Sequence, residues 1–256
     1  MTEISYPVLT PSLVTTLRAL TPARVGLDRV GVSMQTRDLL AFQRCQAQAR
    51  DAVYAELESG ALAAAVAAVT RLKVLQLRSS AGDRACYLQR PDCGRKLDEA
   101  SSRLLERHRG SFDLAVVVAD GLSALAVERH ALRVLEELLP QLTSWQLAPM
   151  CIVEQGRVAI GDEIGYALNA EIAVVLIGER PGLSSPDSLG AYLTWRPRPG
   201  RTDAERNCIS NIRAEGLSYA EAASQLAACL AAARRLRGTG VALMLQPAQL
   251  ADGASR

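Results

Sequence analysis

The sequence predicts an α/β fold in which a doubly wound, mostly parallel, Rossmann-like sheet follows an amino-terminal helical and irregular region. Three short, continuous apolar runs stand at residues 113–120, 147–154 and 171–178. Segments with helical periodicity separate these runs, and strands that alternate with helices are typical of a parallel sheet covered on both faces. Residues 1–110 contain only helical and loop-like patterns, so we expect the sheet domain to span residues 111–256.

The amino-terminal region is predicted to contain two helices, a loop and a third, short helix. Apolar residues between positions 36 and 57 lie near helical spacing, and residues 61–72 form a second, alanine-rich helical run. Residues 78–97 are polar and contain a proline and two glycines, which indicates a loop. A short helix follows from about residue 97, and Gly110 is a suitable stop for it.

The sheet domain is predicted to alternate strands and helices along the chain. Its last long helix begins with a capping box, because Ser218 precedes Glu221 by three residues. The run at 192–195 is short, so we expect it at the edge of the sheet. The predicted order is strand 113–120, helix 124–138, strand 147–154, helix 161–170, strand 171–178, edge strand 192–195, helix 218–236 and strand 241–245.

Each of the three long apolar runs ends in a loop with polar or charged residues. Asp120 follows the first run, Arg157 and Val158 come shortly after the second, and Glu179 follows the third. In an open parallel sheet, ligands bind beyond the carboxyl ends of the strands, so these loops predict a binding site along one rim. The alternative for Asp120 is that it only caps the next helix together with Ser123.

Residues typical of common catalytic sites are missing from this predicted rim. The chain has neither a G-x-G-x-x-G dinucleotide fingerprint nor a P-loop lysine. His130 lies in a predicted helix and His108 ends one, so neither stands at the end of a strand, where a general base would be needed. We therefore expect the rim to hold a ligand and not to transform it.

Cys208 stands among polar residues in the segment RNCISNIR. The positive charge of the nearby Arg206 predicts a lowered pKa for this thiol. The alternative is a small buried thiol beside helix-capping residues. A long loop at 182–202 precedes the segment, and loops of that length in compact domains are usually functional.

The composition argues against several classes of protein. The 29 basic and 27 acidic residues are interleaved and sum to +2, which does not suggest nucleic-acid binding. The six cysteines form no C-x-x-C pair, so we expect no zinc site and predict free thiols in a reducing, cytoplasmic setting. Neither a secretory signal nor an uncharged apolar run of about 18 residues is visible, so no membrane span is expected.

Five blocks stand in a fixed order between residues 24 and 241. They read ACYLQRPDCGRKLDE, VVVADGLSALAV, EQGRVAIGDEIG, VVLIGERPGLSSPDSLGAYLTW and RTDAERNCISNIR. In this order they resemble the small (light) subunits of ethanolamine ammonia-lyases. One such block would be weak support, whereas five in this order are specific. The blocks lie within residues 85–213, and the likeness as a whole extends from about residue 24 to residue 241.

The resemblance implies a subunit of an adenosylcobalamin-dependent lyase that converts ethanolamine to acetaldehyde and ammonia by a radical mechanism. In such enzymes the cofactor carries the radical chemistry, while protein groups orient and shield it. The resemblance also implies that the substrate site lies on a large subunit, a TIM-type barrel absent from this chain. Cobalamin would be held at the interface of large–small pairs within a hetero-oligomer. This chain by itself is then expected to be inactive, with no catalytic residue of its own.

The same resemblance implies three cobalamin contacts, Val158, Glu179 and Cys208, with Arg157 as a weaker candidate. The chain lacks the Asp-x-His-x-x-Gly motif that supplies a cobalt-ligating histidine in some cobalamin domains, so no metal ligand is expected from it. The implied location is the cytoplasm, with enclosure in a bacterial microcompartment left open. Two alternatives also stay open: a free-standing α/β nucleotide-binding protein or enzyme that uses Asp120, Glu179 and Cys208, and a scaffold without a ligand.

Overall fold

The structure is a computed structural model that describes residues 11–21 and 23–244. Two short strands form a separate antiparallel hairpin, β1 (Arg29–Val30) and β2 (Ser33–Met34). The six-stranded main sheet consists of β3 (Val74–Arg78), β4 (Phe112–Ala119), β5 (Met150–Glu154), β6 (Ala170–Gly178), β7 (Leu189–Trp195) and β8 (Arg206–Ile212). The α-helices are α1 (Pro11–Leu20), α2 (Thr36–Tyr54), α3 (Ser59–Thr70), α4 (Arg84–Gln89), α5 (Glu99–Glu106), α6 (Ala124–Leu138), α7 (Ile160–Leu168), α8 (Tyr219–Leu236) and α9 (Val241–Met244).

The main sheet has the strand order β3-β5-β4-β6-β7-β8. The first four strands in this order run parallel to one another, and β7 and β8 are antiparallel additions at one side. Val117 of β4 lies opposite Cys151 of β5 on one side and Val175 of β6 on the other, so β4 is central. The predicted α/β class with a mostly parallel sheet is confirmed.

The central strand β4 shows why such strands are continuous apolar runs. Its even-numbered residues from Leu114 to Val118 face a core shared with α3, α6 and α8, and its odd-numbered residues from Ala115 to Ala119 face a core shared with α5 and α7. Because side chains alternate between the two faces of a strand and both faces are covered, every position must be apolar. The helices therefore cover both sides of the sheet, as predicted.

Several predicted elements differ from the structure. The region 1–110 was expected to hold only helices and loops, yet β3 lies within it and pairs with β5. The segment 192–195 is not an edge strand, because it is the end of the longer β7 and is covered by β8. The strand predicted at 241–245 is wrong over its described residues, which form α9. Position 245 lies outside the described residues.

These differences have a physical cause. An apolar run of five residues has no periodicity of its own, so it forms a strand or a turn of helix according to what it packs against. In α9, Leu243 is buried in the core shared with α8, which a helical turn achieves without a strand partner. The sequence does not indicate β8 because most of its residues are polar and three of the seven are exposed, as is common in an edge strand. The division of the chain at residue 110 into two domains stays a prediction.

Helix α2 packs loosely against the rest of the protein. Of the 19 residues in α2, only Ala52 is buried. Among the described residues, no single helix has the length and apolar character of a membrane span. Helices α2 and α3 reach that length and apolar character only together, and the chain bends by 79° between them.

Two glycines let the loops after β4 and β6 touch each other. Gly121 has φ +58°, a left-handed conformation that side chains disfavour, and a Cβ there would lie 2.2 Å from the carbonyl oxygen of Gly178. A Cβ on Gly178 would in turn lie 2.0 Å from the carbonyl oxygen of Ser123. Leu122 N donates a hydrogen bond to Gly178 O at 2.9 Å in this contact. The two strand ends are thereby held together at the rim of the sheet.

Candidate functional site

The carboxyl ends of β5, β4 and β6 lie side by side, because these strands are neighbours and parallel. At this edge the surface forms an open hollow of about 280 Å³, which we call the rim hollow. Val158 and Glu179 both line it, together with Arg157 from the same loop as Val158. Gly121 and Leu122, from the loop after β4, line it too, so the structure brings together all three of the loops that the sequence singled out.

Asp120 is buried beneath the rim hollow and fastens its loops. Its carboxylate accepts hydrogen bonds from Gln155 N at 2.9 Å and Gly156 N at 3.0 Å, and the Arg84 guanidinium lies 3.5 Å away. Gln155 has φ +56°, an uncommon conformation for a residue other than glycine, and the bond to Asp120 helps hold it there. Burial raises the pKa of Asp120 to about 6, although the loop N–H groups and Arg84 act to lower it.

The same contacts show that the Asp120 side chain does not cap the helix that follows it. Ser123 is the N-cap of α6, and its hydroxyl accepts a hydrogen bond from Ala126 N at 3.3 Å. The carboxylate of Asp120 instead binds the loop after β5, a neighbouring strand. Asp120 is therefore a tether between two rim loops.

Arg84 and Tyr87, both on α4, complete the support of the rim. Arg84 is buried and donates to Gly121 O at 2.9 Å and to the Gln155 side chain at 3.2 Å. The Tyr87 hydroxyl donates to Gly156 O at 3.2 Å. The guanidinium carbons of Arg84 and Arg157 lie 4.7 and 4.1 Å from the centre of the Tyr87 ring, within cation–π range.

Sequence reasoning missed Arg84 and Tyr87, because they stand in the segment predicted to be a loop. The local signal that marks their helix is Asp83, whose side chain accepts a hydrogen bond from Cys86 N at 2.7 Å as an N-cap. That signal identifies the helix but not its neighbours in space.

Glu179 is half-buried at the wall of the rim hollow. Its carboxylate accepts hydrogen bonds from the Ser188 hydroxyl and, at 3.3 Å, from Asn211 N. Gly190 leaves room for this carboxylate, since a Cβ there would lie 2.9 Å from Glu179 Oε1. Among the described residues, its side-chain partners come from the loop before β7 and from β8, and Arg180 is not one of them. Glu179 is thus positioned as a hydrogen-bond acceptor with capacity left on its second oxygen.

Cys208 lies on β8, directly opposite Tyr192 of β7. Tyr192 lines the rim hollow, so Cys208 adjoins the hollow through this neighbour without lining it. Its pKa is raised, because partial desolvation of the thiol by its neighbours and the charge of Glu179 outweigh the hydrogen bond from Tyr192. The expectation that Arg206 lowers this pKa is wrong, because the Arg206 guanidinium binds Asp162 instead. The alternative of a small buried thiol beside helix-capping residues is wrong too, because Cys208 is an exposed residue of a strand.

Neither histidine reaches the rim. His130 is buried in α6 with Nδ1 2.9 Å from the Tyr219 hydroxyl and Nε2 3.4 Å from Asp187. His108 follows α5 and contacts Leu104 O through Nδ1 at 2.9 Å. Within the described part of the chain, no three His, Cys, Asp or Glu side chains converge as a set of metal ligands. The side chains around the rim hollow can accept hydrogen bonds through Glu179, donate them through Arg157 and Arg180, and cover apolar surface.

Comparison with known proteins points to one family. The sequence profile described as Ethanolamine ammonia-lyase light chain (EutC) matches residues 11–244. The chain is 57% identical over 246 residues to the ethanolamine ammonia-lyase small subunit of Xanthomonas campestris pv. campestris (strain B100), covering 94% of this chain and 88% of that protein. It is 55% identical over 233 residues to the small subunit of Pseudomonas aeruginosa (strain LESB58), covering 89% and 85% respectively. The corresponding figures for Ralstonia nicotianae are 53% over 245 residues, 91% and 90%.

Proposed function

Because the chain belongs to the ethanolamine ammonia-lyase light-chain family, we propose that it holds adenosylcobalamin against a separate large subunit on which ethanolamine is deaminated. The observation that carries this proposal is the rim hollow, which two of the three implied cofactor contacts line. The third, Cys208, adjoins it through Tyr192. No histidine stands among the residues that line the hollow, so its groups suit holding a ligand better than proton transfer.

The size of the rim hollow supports a shared cofactor. Its volume of about 280 Å³ lies just below the range of about 300–1,000 Å³ for pockets that enclose a drug-sized ligand. A corrin with its axial groups is much larger than such a ligand, so this chain covers only one side of it. The remaining side would then be covered by the large subunit.

The side chains around the hollow fit one side of a corrin. Val158 offers apolar contact, and Glu179 offers a fixed carboxylate to the amide N–H groups that the corrin periphery carries. The buried tether from Asp120 keeps the loop of Val158 in place before the ligand binds, which lowers the entropy cost of binding. When bound, adenosylcobalamin supplies a cobalt–carbon bond whose homolysis starts the radical reaction. The role of this chain is to orient the cofactor and exclude water from that side.

The exposed amino-terminal elements support assembly with a partner. A helix usually derives most of its stability from packing an apolar face, yet α2 buries only Ala52. Apolar side chains of this region also stand in solvent, and they include Leu20 (78% exposed), Val30 (68%), Val32 (94%) and Tyr54 (63%). Apolar surface of this kind is typical of protein interfaces.

Reconstitution tests the proposed division of labour. The purified chain with adenosylcobalamin and ethanolamine should release no acetaldehyde or ammonia, whereas addition of the large subunit should start turnover. The same mixtures without the chain serve as the control. Deamination by the chain alone would contradict the proposal. A thermal shift of the chain with NAD or ATP, and no cobalamin binding by the complex, would favour the free-standing nucleotide-binding alternative.

Replacement of Glu179 tests its role as a cofactor contact. In the reconstituted complex, Glu179→Ala should weaken cobalamin binding about tenfold, equivalent to about 1.4 kcal/mol, because one charge-assisted hydrogen bond is lost. Equilibrium dialysis with absorbance of the corrin measures this affinity independently of turnover. Glu136→Ala, which removes an exposed carboxylate on α6, is the matched control and should leave the affinity unchanged. Equal affinities of both variants and the unmodified complex would favour a scaffold role instead.

A further inference from the structure

A second hollow, of about 540 Å³, adjoins the rim hollow on the side of α2. Three arginines from three separate segments line it, and we call it the arginine hollow. Arg50 comes from α2, Arg157 from the loop after β5 and Arg180 from the loop after β6. The two hollows share Leu122, Arg157 and Arg180, so they are neighbouring compartments of one surface depression.

The positive charge of the arginine hollow is not balanced by its own lining, which contains no carboxylate. Arg157 is held over Tyr87 and by Tyr87 O, and its buried Nε has no hydrogen-bond partner among the described residues. Arg50 approaches Asp51 at 3.5 Å, but both side chains are more than 70% exposed, so the pair contributes little.

The two acidic groups of the neighbouring rim, Glu179 and Asp120, do not pair with these arginines. Glu179 is bound to Ser188 and Asn211, and Asp120 faces Arg84 and the loop after β5. Within the described residues, Arg180 takes part in no ion pair. Three guanidinium groups around one hollow repel one another, and a bound anion would remove that repulsion.

The rest of the lining indicates the kind of molecule that carries the anion. Apart from the arginines and Gln46, the residues are apolar: Ala49, Val53, Leu88, Pro91, Leu122 and Pro181. Guanidinium groups bind phosphate oxygens in a bidentate manner, and apolar walls suit the organic part of an ester. We infer that the arginine hollow binds the phosphate group of an organic phosphate ester, held by Arg50, Arg157 and Arg180.

Two sources could supply this phosphate. Cobalamin carries a phosphodiester between its corrin ring and its nucleotide base, so a single cofactor can occupy both hollows. That assignment of the source rests on the proposed function. A free phosphate or nucleotide is the other source, and it requires only the arginine hollow itself.

Pyrophosphate binding tests, independently of cobalamin, whether the arginine hollow binds phosphate. Pyrophosphate is titrated into the full chain and into the reconstituted complex, and binding is followed by phosphorus NMR and calorimetry. The double variant Arg50→Ala/Arg180→Ala should bind at least tenfold more weakly than the unmodified protein. Arg235→Ala/Arg237→Ala removes two arginines near the end of α8 and is the charge-matched control, with affinity within twofold of the unmodified protein. Equal affinities for all three proteins, or no binding to any, would overturn the inference.

Corrinoid binding to the reconstituted complex then identifies the source. Cobalamin is compared with cobinamide, which has the corrin but neither phosphate nor nucleotide base. If the cofactor is the source, Arg50→Ala, which changes the one arginine of the three that does not line the rim hollow, weakens cobalamin binding at least tenfold and leaves cobinamide binding unchanged. If pyrophosphate binding depends on the arginines but cobalamin binding does not, the source is a free phosphate compound. A complex that binds neither corrinoid contradicts the proposed function, while the pyrophosphate titration still decides the arginine hollow.

Discussion

Asp120→Ala should lower the free energy of unfolding by about 3–5 kcal/mol, the range for breaking a buried ion pair by removal of one partner. The substitution deprives Gln155 N and Gly156 N of their acceptor, both of which are buried. It also leaves Arg84, whose side chain is 6% exposed, without its carboxylate. The two N–H groups without an acceptor and the guanidinium without its carboxylate together make up the cost.

Urea denaturation at pH 7 measures this loss, and Asp51→Ala is the matched control. The side chain of Asp51 is 72% exposed, so its removal should leave the denaturation midpoint unchanged. The pKa of Asp120 in the folded protein is about 6, above its ordinary value of 3.8. The folded protein therefore binds the proton more tightly and gains stability as pH falls from 6 to 4, so the difference from the Ala variant should grow over that window. A loss no larger than that of the control would show that Asp120 is not a tether.

Arg206→Met should also lower the free energy of unfolding by about 3–5 kcal/mol. The Arg206 guanidinium donates to both carboxylate oxygens of Asp162 at 2.7 Å, and the two side chains are 2% and 3% exposed. It also donates to Thr194 Oγ1 at 3.0 Å. Burial lowers the pKa of Arg206, but the hydrogen bonds and charge of Asp162 outweigh it, so its net pKa is raised. Without the guanidinium, the Asp162 carboxylate at the start of α7 is left buried and uncompensated.

A double variant separates loss of the pair from loss of packing. Arg206→Met/Asp162→Leu removes both charges and keeps apolar bulk, so it should recover most of the stability that Arg206→Met loses. Arg234→Met serves as the exposed control: its side chain is 44% exposed and pairs with Asp113, and we expect a change below about 1 kcal/mol. Denaturation of the four proteins under one set of conditions gives the comparison. If the double variant is no more stable than Arg206→Met, the cost lies in packing and not in the stranded carboxylate.

Much of the fold could be predicted from local patterns in the sequence. The continuous apolar runs that became β4, β5 and β6 indicated strands covered on both faces, and the stripe that became the buried face of α6 had helical spacing. The rule that ligands bind at the carboxyl ends of parallel strands then placed Val158 and Glu179 at one rim. The polar edge strand β8 and the short α9 were missed, because their identity depends on the neighbours against which they pack.

By itself, the sequence determined the fold class, the order of the central elements and the family. These follow from periodicity and from ordered blocks, both of which are properties of neighbouring positions along the chain. Only the tertiary structure decided how the rim is held: Arg84 meets Asp120 across 36 positions and Gln155 across 71. The tertiary structure alone also brings Arg50, Arg157 and Arg180 together around one hollow. Such contacts leave no local pattern, because each partner is an ordinary polar residue until the packing of the sheet and helices excludes water around it.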